Sequence, residues 1–263
     1  MLRAVLIFAA LFAATCNADE RPRIAIIIDD LGYEYTHGLR ATALPGPVAC
    51  AVLPGTPRGS ELAEAAFREG KEVLLHLPLQ AMGADGTDEP GGIVLDMSRG
   101  QFAHAFARHI ASVPHVIGVN THRGSLLTRH PGHMQWLMEE ISARNNLFFV
   151  DSYTTHESVA LELARESGIP ALKRDVFLDP DRDAATVARE FERLKELAEQ
   201  QGAAVAIGHP YPETMALLER ELPKLAADGF QLVSLRQLLG EPIAKNKIKR
   251  GAQGEELIAV AWK

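Results

Sequence analysis

Short apolar runs without polar alternation recur along this chain. They lie at residues 24–28, 48–53, 73–75, 116–119, 147–150, 203–207 and 232–233, with a further short piece at Ala171 and Leu172. A strand with one wet face alternates in polarity, so runs that do not alternate belong to strands covered on both faces, as in parallel sheets. Between them lie amphipathic stretches of period near 3.6, at residues 60–69, 101–112, 133–144, 157–166, 184–201 and 213–227. Gly70, Gly168, Gly202 and Gly229 sit where helix-ending glycines belong, and Pro223 predicts a break in the last stretch. Strand and helix in turn imply a parallel sheet with right-handed crossovers. Seven or eight such repeats in about 220 residues favour a closed or nearly closed β/α barrel; an open doubly wound sheet is the other arrangement the pattern allows.

The two ends of the chain read differently. Arg3, the apolar run at residues 4–14 and the small residues up to Ala18 form an export signal, too short for an ordinary membrane-spanning helix. A retained N-terminal anchor fits the same residues, and Cys16 offers a lipidation site, although Thr15 before it suits that poorly. Cleavage after Ala18 leaves a barrel domain over residues 19–240, a polar tail at 241–263 and no integral membrane span. It also leaves Cys50 as the one cysteine, so no internal disulfide can form and packing must hold the fold. Hydrophobic residues make up 47% of the chain, enough for a full core, and Cys50 within its apolar run reads as part of that core. Net charge is −7, and the basic cluster Lys245, Lys247, Lys249 and Arg250 lies in the tail, so the rest is more acidic still. That balance excludes nucleic acid as a partner, since its recognition needs clustered Lys and Arg.

In a β/α barrel the chemistry gathers where the strands end. The first run ends in Asp29-Asp30, the third in His76, the fourth leads into Asn120, His122 and Ser125, the fifth ends in Asp151, and the run at 203–207 leads into His209. Each residue also has a plain structural reading. Asp-Asp-Leu-Gly is good turn chemistry, His76 could be a hydrogen-bonded core histidine, Asp151 a cap, and His209 a loop residue beside a helix start. Together, Asp and His at successive strand ends suit a divalent metal of the Zn²⁺ type, which takes oxygen and nitrogen ligands. The other seven histidines, His37, His104, His109, His115, His130, His133 and His156, fall in helices or loops, where a solvated role is the default.

Five segments carry a family resemblance: residues 23–32 (RIAIIIDDLG), 73–78 (VLLHLP), 118–125 (GVNTHRGS), 149–152 (FVDS) and 206–210 (AIGHP). In this order they resemble the divergent polysaccharide deacetylases, a branch of the NodB-like carbohydrate esterases, over nearly the whole chain after the signal. The resemblance implies an irregular β/α barrel of seven to eight strands and metal-dependent removal of acetyl groups from a glycan. It implies Asp29 as general base, Asp30 and His76 as metal ligands, and His209 as the acid that protonates the leaving amine.

Two departures from the family pattern stand out. The position four after His76 is Gln80 where the pattern has a second histidine, and no Arg-x-Pro-x-Gly segment is found. His122 is expected to supply the third ligand instead. Gln80 and Ser125 are expected near the substrate, Asn120 at the oxyanion, and Asp151 beside His209 or the substrate. For an exported chain the carbohydrate polymer would be an envelope glycan such as peptidoglycan, met in the periplasm. A barrel that binds glycan or a protein partner without turnover, and a metal hydrolase acting on an ester or phosphoryl group, would use the same residues.

Overall fold

The computed structural model describes residues 21–84, 89, 91–144 and 146–240; the export signal and the polar tail expected at the two ends lie outside them. In chain order the elements are β1 (Arg23–Leu31), α1 (Tyr35–Thr42), β2 (Ala49–Val52), α2 (Gly59–Arg68), β3 (Val73–Leu79), α3 (Arg99–Ser112), β4 (Val116–Arg123) and α4 (Pro131–Ser142). They continue with β5 (Phe148–Asp151), α5 (Ala160–Glu166), β6 (Ala171–Lys173), β7 (Val176–Phe177), α6 (Ala184–Gln201), β8 (Ala203–Gly208), α7 (Pro212–Glu221), β9 (Gln231–Leu232) and α8 (Leu235–Leu238). The helix expected across residues 213–227 ends at Glu221 and passes into a 3₁₀ turn at Leu222–Lys224. Pro223 breaks it there, as its missing N–H and ring clash require.

All strand pairs are parallel, in the order β6-β5-β4-β3-β2-β1-β8-β7, with β9 beside the start of β1. The strands run around the sheet in sequence, without the reversal of strand order that a doubly wound sheet has. β6 and β7 are two halves of one segment. β6 pairs with β5 and β7 with β8. Between them the Arg174 amide donates to Asp151 O at 3.0 Å and the Asp175 amide to Val205 O at 2.8 Å. The segment thus crosses from one side of the sheet to the other and curls it into an irregular barrel.

Alternate strand residues face opposite sides. One set, including Ile24, Ile26, Ile28, Val52, Leu75 and Phe149, packs against the helices. The other, including Ala25, Ile27, Ala49, Leu74, Phe148 and Val205, meets inside the barrel with Val233 and Leu235 from the C-terminal turn. Gly118 makes the interior possible: a Cβ there would lie 2.6 Å from the Phe148 ring and 2.9 Å from Leu74. Continued toward the strand ends, the inward row changes from apolar to polar, because Ala25 and Ile27 lead to Asp29, and Leu74 to His76.

Two expectations are corrected by this geometry. β4 runs on to Arg123, so Asn120 and His122, expected just beyond the run at 116–119, lie on the strand itself; two residues apart, they share its inner face. His109 and His133 are buried, at 5% exposure each, and not solvated.

Candidate metal centre and active site

The end of β1 brings both of its carboxylates to one place. On a regular strand Asp29 and Asp30 would point to opposite faces. Pairing with β2 steps from Ile28↔Cys50 to Leu31↔Val52, so β1 fits one extra residue into this interval. This bulge re-aims the chain, and Asp30 takes a left-handed φ of 60°. Gly32 then turns away at φ 143°, with Thr56 so close that a Cβ would meet its Oγ1 at 2.0 Å. Arg123 (φ 55°) and Tyr153 (φ 51°) are also non-glycine residues in the left-handed region. All three lie at or just past strand ends around the site, where backbone strain marks functional geometry.

Asp30 Oδ1, His76 Nε2 and His122 Nδ1 converge. The carboxylate oxygen is 3.1 Å from His76 and 2.9 Å from His122, and the two nitrogens are 3.2 Å apart. These are the three residues expected to hold a metal, and among the described residues they form the group that could do so, with ligand atoms within 4.8 Å of one another. Asp30 Oδ1 is buried, yet neither nitrogen meets it at hydrogen-bonding geometry. An orphaned carboxylate oxygen facing two imidazole nitrogens is a donor set that suits a divalent cation.

The surrounding bonds orient these ligands. Asn120 Nδ2 donates to Asp29 Oδ1 at 2.7 Å, which leaves its carbonyl to accept the Nδ1–H of His76 at 2.9 Å. His76 Nε2 is thereby the nitrogen turned toward Asp30, the ring orientation typical of a metal-binding histidine. Burial works against a charged His76 ring, but Asp29 and Asp30 outweigh it and raise its pKa to about 9. Burial also opposes ionisation of Asp30, and the close approach of His122 and His76 overrides it and holds the carboxyl well below its usual range. Asp29 is the reverse: burial dominates and pushes its pKa up. The cluster therefore calls for positive charge beside Asp30 and leaves Asp29 the better proton acceptor.

On the opposite side stands His209. Asp179 grips it twice, accepting the His209 amide at 2.7 Å and Nδ1–H at 2.9 Å. Thr214 donates to the same carboxylate at 2.7 Å. With Nδ1 so engaged, Nε2 faces inward, 3.5 Å from Asp30 Oδ2. Burial opposes charge on the ring, but the bond to Asp179 and the field of Asp30 raise its pKa. Asp29, Asp30, His76, His122 and His209 line one cavity of about 410 Å³, whose other walls include Thr121, Arg123, Ser152, Arg174 and Phe177.

Four expected site residues are placed elsewhere. Asp151 is fully buried and accepts from the Tyr153 amide and the Ser158 hydroxyl, so it braces the loop after β5 while Asp179 orients His209. Asn120, also fully buried, sits behind Asp29 and His76 and not at an oxyanion. Gln80 turns into its own loop, donating to Ala84 O and accepting from Leu95 N. Ser125 accepts from the Met82 amide. None of the four lines the cavity. Asp179 carries little signal in the sequence because β7 before it has two residues; the short apolar run of Val-Phe-Leu-Asp-Pro, closed by a carboxylate, is its only trace.

The chain matches the divergent polysaccharide deacetylase family over residues 26–239. It is 35% identical over 240 residues to the uncharacterized protein YibQ of Escherichia coli (strain K12), covering 91% of this chain and 74% of that one. An uncharacterized protein of Haemophilus influenzae is 36% identical over 216 residues, 82% and 76% of the two chains. Among solved structures, the uncharacterized protein ATU2773 from Agrobacterium tumefaciens C58 superposes with a TM-score of 0.80 at 24% identity, over 84% of this chain and 90% of that one. The catalytic domain of a peptidoglycan N-acetylglucosamine deacetylase from Eubacterium rectale gives 0.52 at 15% identity, over 82% and 89%. At these identities the two structures share the fold alone.

Proposed function

The chain belongs to the divergent polysaccharide deacetylase family, and from that premise we propose that it is an exported, metal-dependent hydrolase that removes N-acetyl or O-acetyl groups from an envelope glycan, peptidoglycan being the nearest candidate. The observation that carries this reading is the convergence of Asp30, His76 and His122 between a buried carboxylate, Asp29, and a carboxylate-oriented imidazole, His209.

Asp30, His76 and His122 would hold the metal, with Zn²⁺ the cation their oxygen and nitrogen donors favour. The chemistry such a cation supplies is polarisation of the acyl carbonyl and a lowered pKa for attacking water. Asp29 takes the proton of that water, its raised pKa matching the task of a general base. His209 holds a proton at Nε2 while Asp179 fixes the ring, and passes it to the leaving nitrogen or oxygen. Asn120 keeps Asp29 and His76 in register from behind. The missing second histidine of the family pattern is no obstacle to a three-ligand site, because His122 reaches the same point from β4.

The test is acetate release from acetylated glycans by the zinc-loaded chain, beside Asp29→Asn. Zinc-dependent release that the substitution removes supports the reading. Stoichiometric metal with no release from any acetylated glycan would make the chain a glycan-binding barrel instead. Export is tested separately, by the location and the N-terminus of the mature protein.

A further inference from the structure

Arg174 has no part in the chemistry above, yet it lines the same cavity. It lies in the two-residue link between β6 and β7. Its Nε donates to Ser152 O at 2.6 Å and its Nη2 to Tyr153 O at 2.8 Å. The Phe177 ring lies beneath, 5.0 Å from the guanidinium carbon. Two carbonyls and a ring thus fix the plane of the fork. No described residue accepts a hydrogen bond from Nη1, and Nη1 is not among the buried unsatisfied atoms, so this edge is left accessible on a residue that lines the cavity.

Bracing two carbonyls does not require a cation; a neutral amide side chain can do it. Burial works against the Arg174 charge, and the fields of Asp29, Asp151 and Asp175 offset that only in part. No carboxylate of the described residues is bonded to it. Arg123 also lines the cavity. A planar, pre-oriented fork is the group best suited to a carboxylate.

We propose that Arg174 is a carboxylate-binding subsite, so that the glycan this cavity accepts is acidic, carrying a carboxylate on or beside the acetylated sugar. This rests on the proposed deacetylation for its substrate class, but it is tested by binding and not by turnover. The probes are a disaccharide containing N-acetylmuramic acid, whose lactyl ether ends in a carboxylate, and the same disaccharide with that group converted to the uncharged carboxamide. Each is titrated calorimetrically into the zinc-loaded full chain carrying Asp29→Asn. The carboxylate form is expected to bind about tenfold more tightly, the worth of one charge-assisted hydrogen bond. Arg174→Gln is expected to erase that difference and leave carboxamide binding within about twofold. Arg174→Lys, which keeps charge without the fork, is expected to restore part of it, and it carries the comparison if the Gln variant fails to fold. Equal affinities in the parent, a preference that survives Arg174→Gln, or no binding of either probe would overturn the proposal. Acetate release from the neutral N-acetylglucosamine tetramer would uphold deacetylation even if this subsite failed.

Discussion

At the end of β1 two adjacent carboxylates face the same cluster of histidines and are driven in opposite directions. Burial raises the pKa of Asp29, while contacts with His122 and His76 hold Asp30 ionised despite burial. Environments that push two like groups apart assign them different tasks. Asp29→Asn is therefore expected to leave zinc binding intact and lower acetate release by about 10²-fold or more, checked by metal analysis and kinetics on one preparation. His122→Ala is expected to weaken zinc binding at least about 100-fold, measured by competition with a chelator. Asp179 acts through His209. Asp179→Asn would lower kcat by about 10²-fold with little change in KM and would shift the alkaline limb of the pH profile downward, because the carboxylate that favours the charged ring is gone. A change in KM alone would instead make Asp179 a structural brace.

The elements explain why these side chains meet. β3 and β4 pair in register, His76 beside Asn120 and Pro78 beside His122, so the inner faces of two neighbouring strands supply two ligands and the group that orients one of them. Below them Gly118 leaves the space Phe148 fills. Gly118→Ala would force the ring or Leu74 to shift and is expected to destabilise the fold by about 1–3 kcal/mol, read from urea unfolding. Much of this was legible in the sequence: the apolar runs at 24–28, 73–75 and 203–207 became β1, β3 and β8, and the stretch at 184–201 is α6 to the residue. The second half of β4 lay outside the apolar run at 116–119 because Asn-Thr-His-Arg is polar. Inside a barrel mouth, polar side chains on a strand face the site and not water, so composition misleads where function lies. The two-residue β7 left no periodicity at all, and Asp179 was missed with it. Asp151, by contrast, had the sequence position of a site residue, but the turn at Tyr153 takes its carboxylate.

Over the whole molecule the barrel is held by packing, and its stability carries a pH signature of its own. His109 is buried in α3 with Nε2 at 2.8 Å from Gly91 O, and burial lowers its pKa below the ordinary 6.5. Burial, with His130 beside it, lowers His133 likewise. The unfolded chain takes up these protons as the pH falls through about 6.5, whereas the folded chain resists until its lower value, so stability is lost as the pH drops through that window. His76 and His209, whose raised values act in the opposite sense above pH 6.5, are common to parent and variant, so the test is the difference: between pH 6.5 and pH 5 the melting temperature of His109→Gln is expected to fall less on acidification than that of the parent; an unchanged slope in that variant would remove His109 from the account. The central claim concerns a single point in this barrel. Crystals of the chain soaked in zinc and measured at the zinc absorption edge should give one anomalous peak bounded by Asp30, His76 Nε2 and His122 Nδ1. No peak there, or a zinc site that leaves out His122, would contradict it.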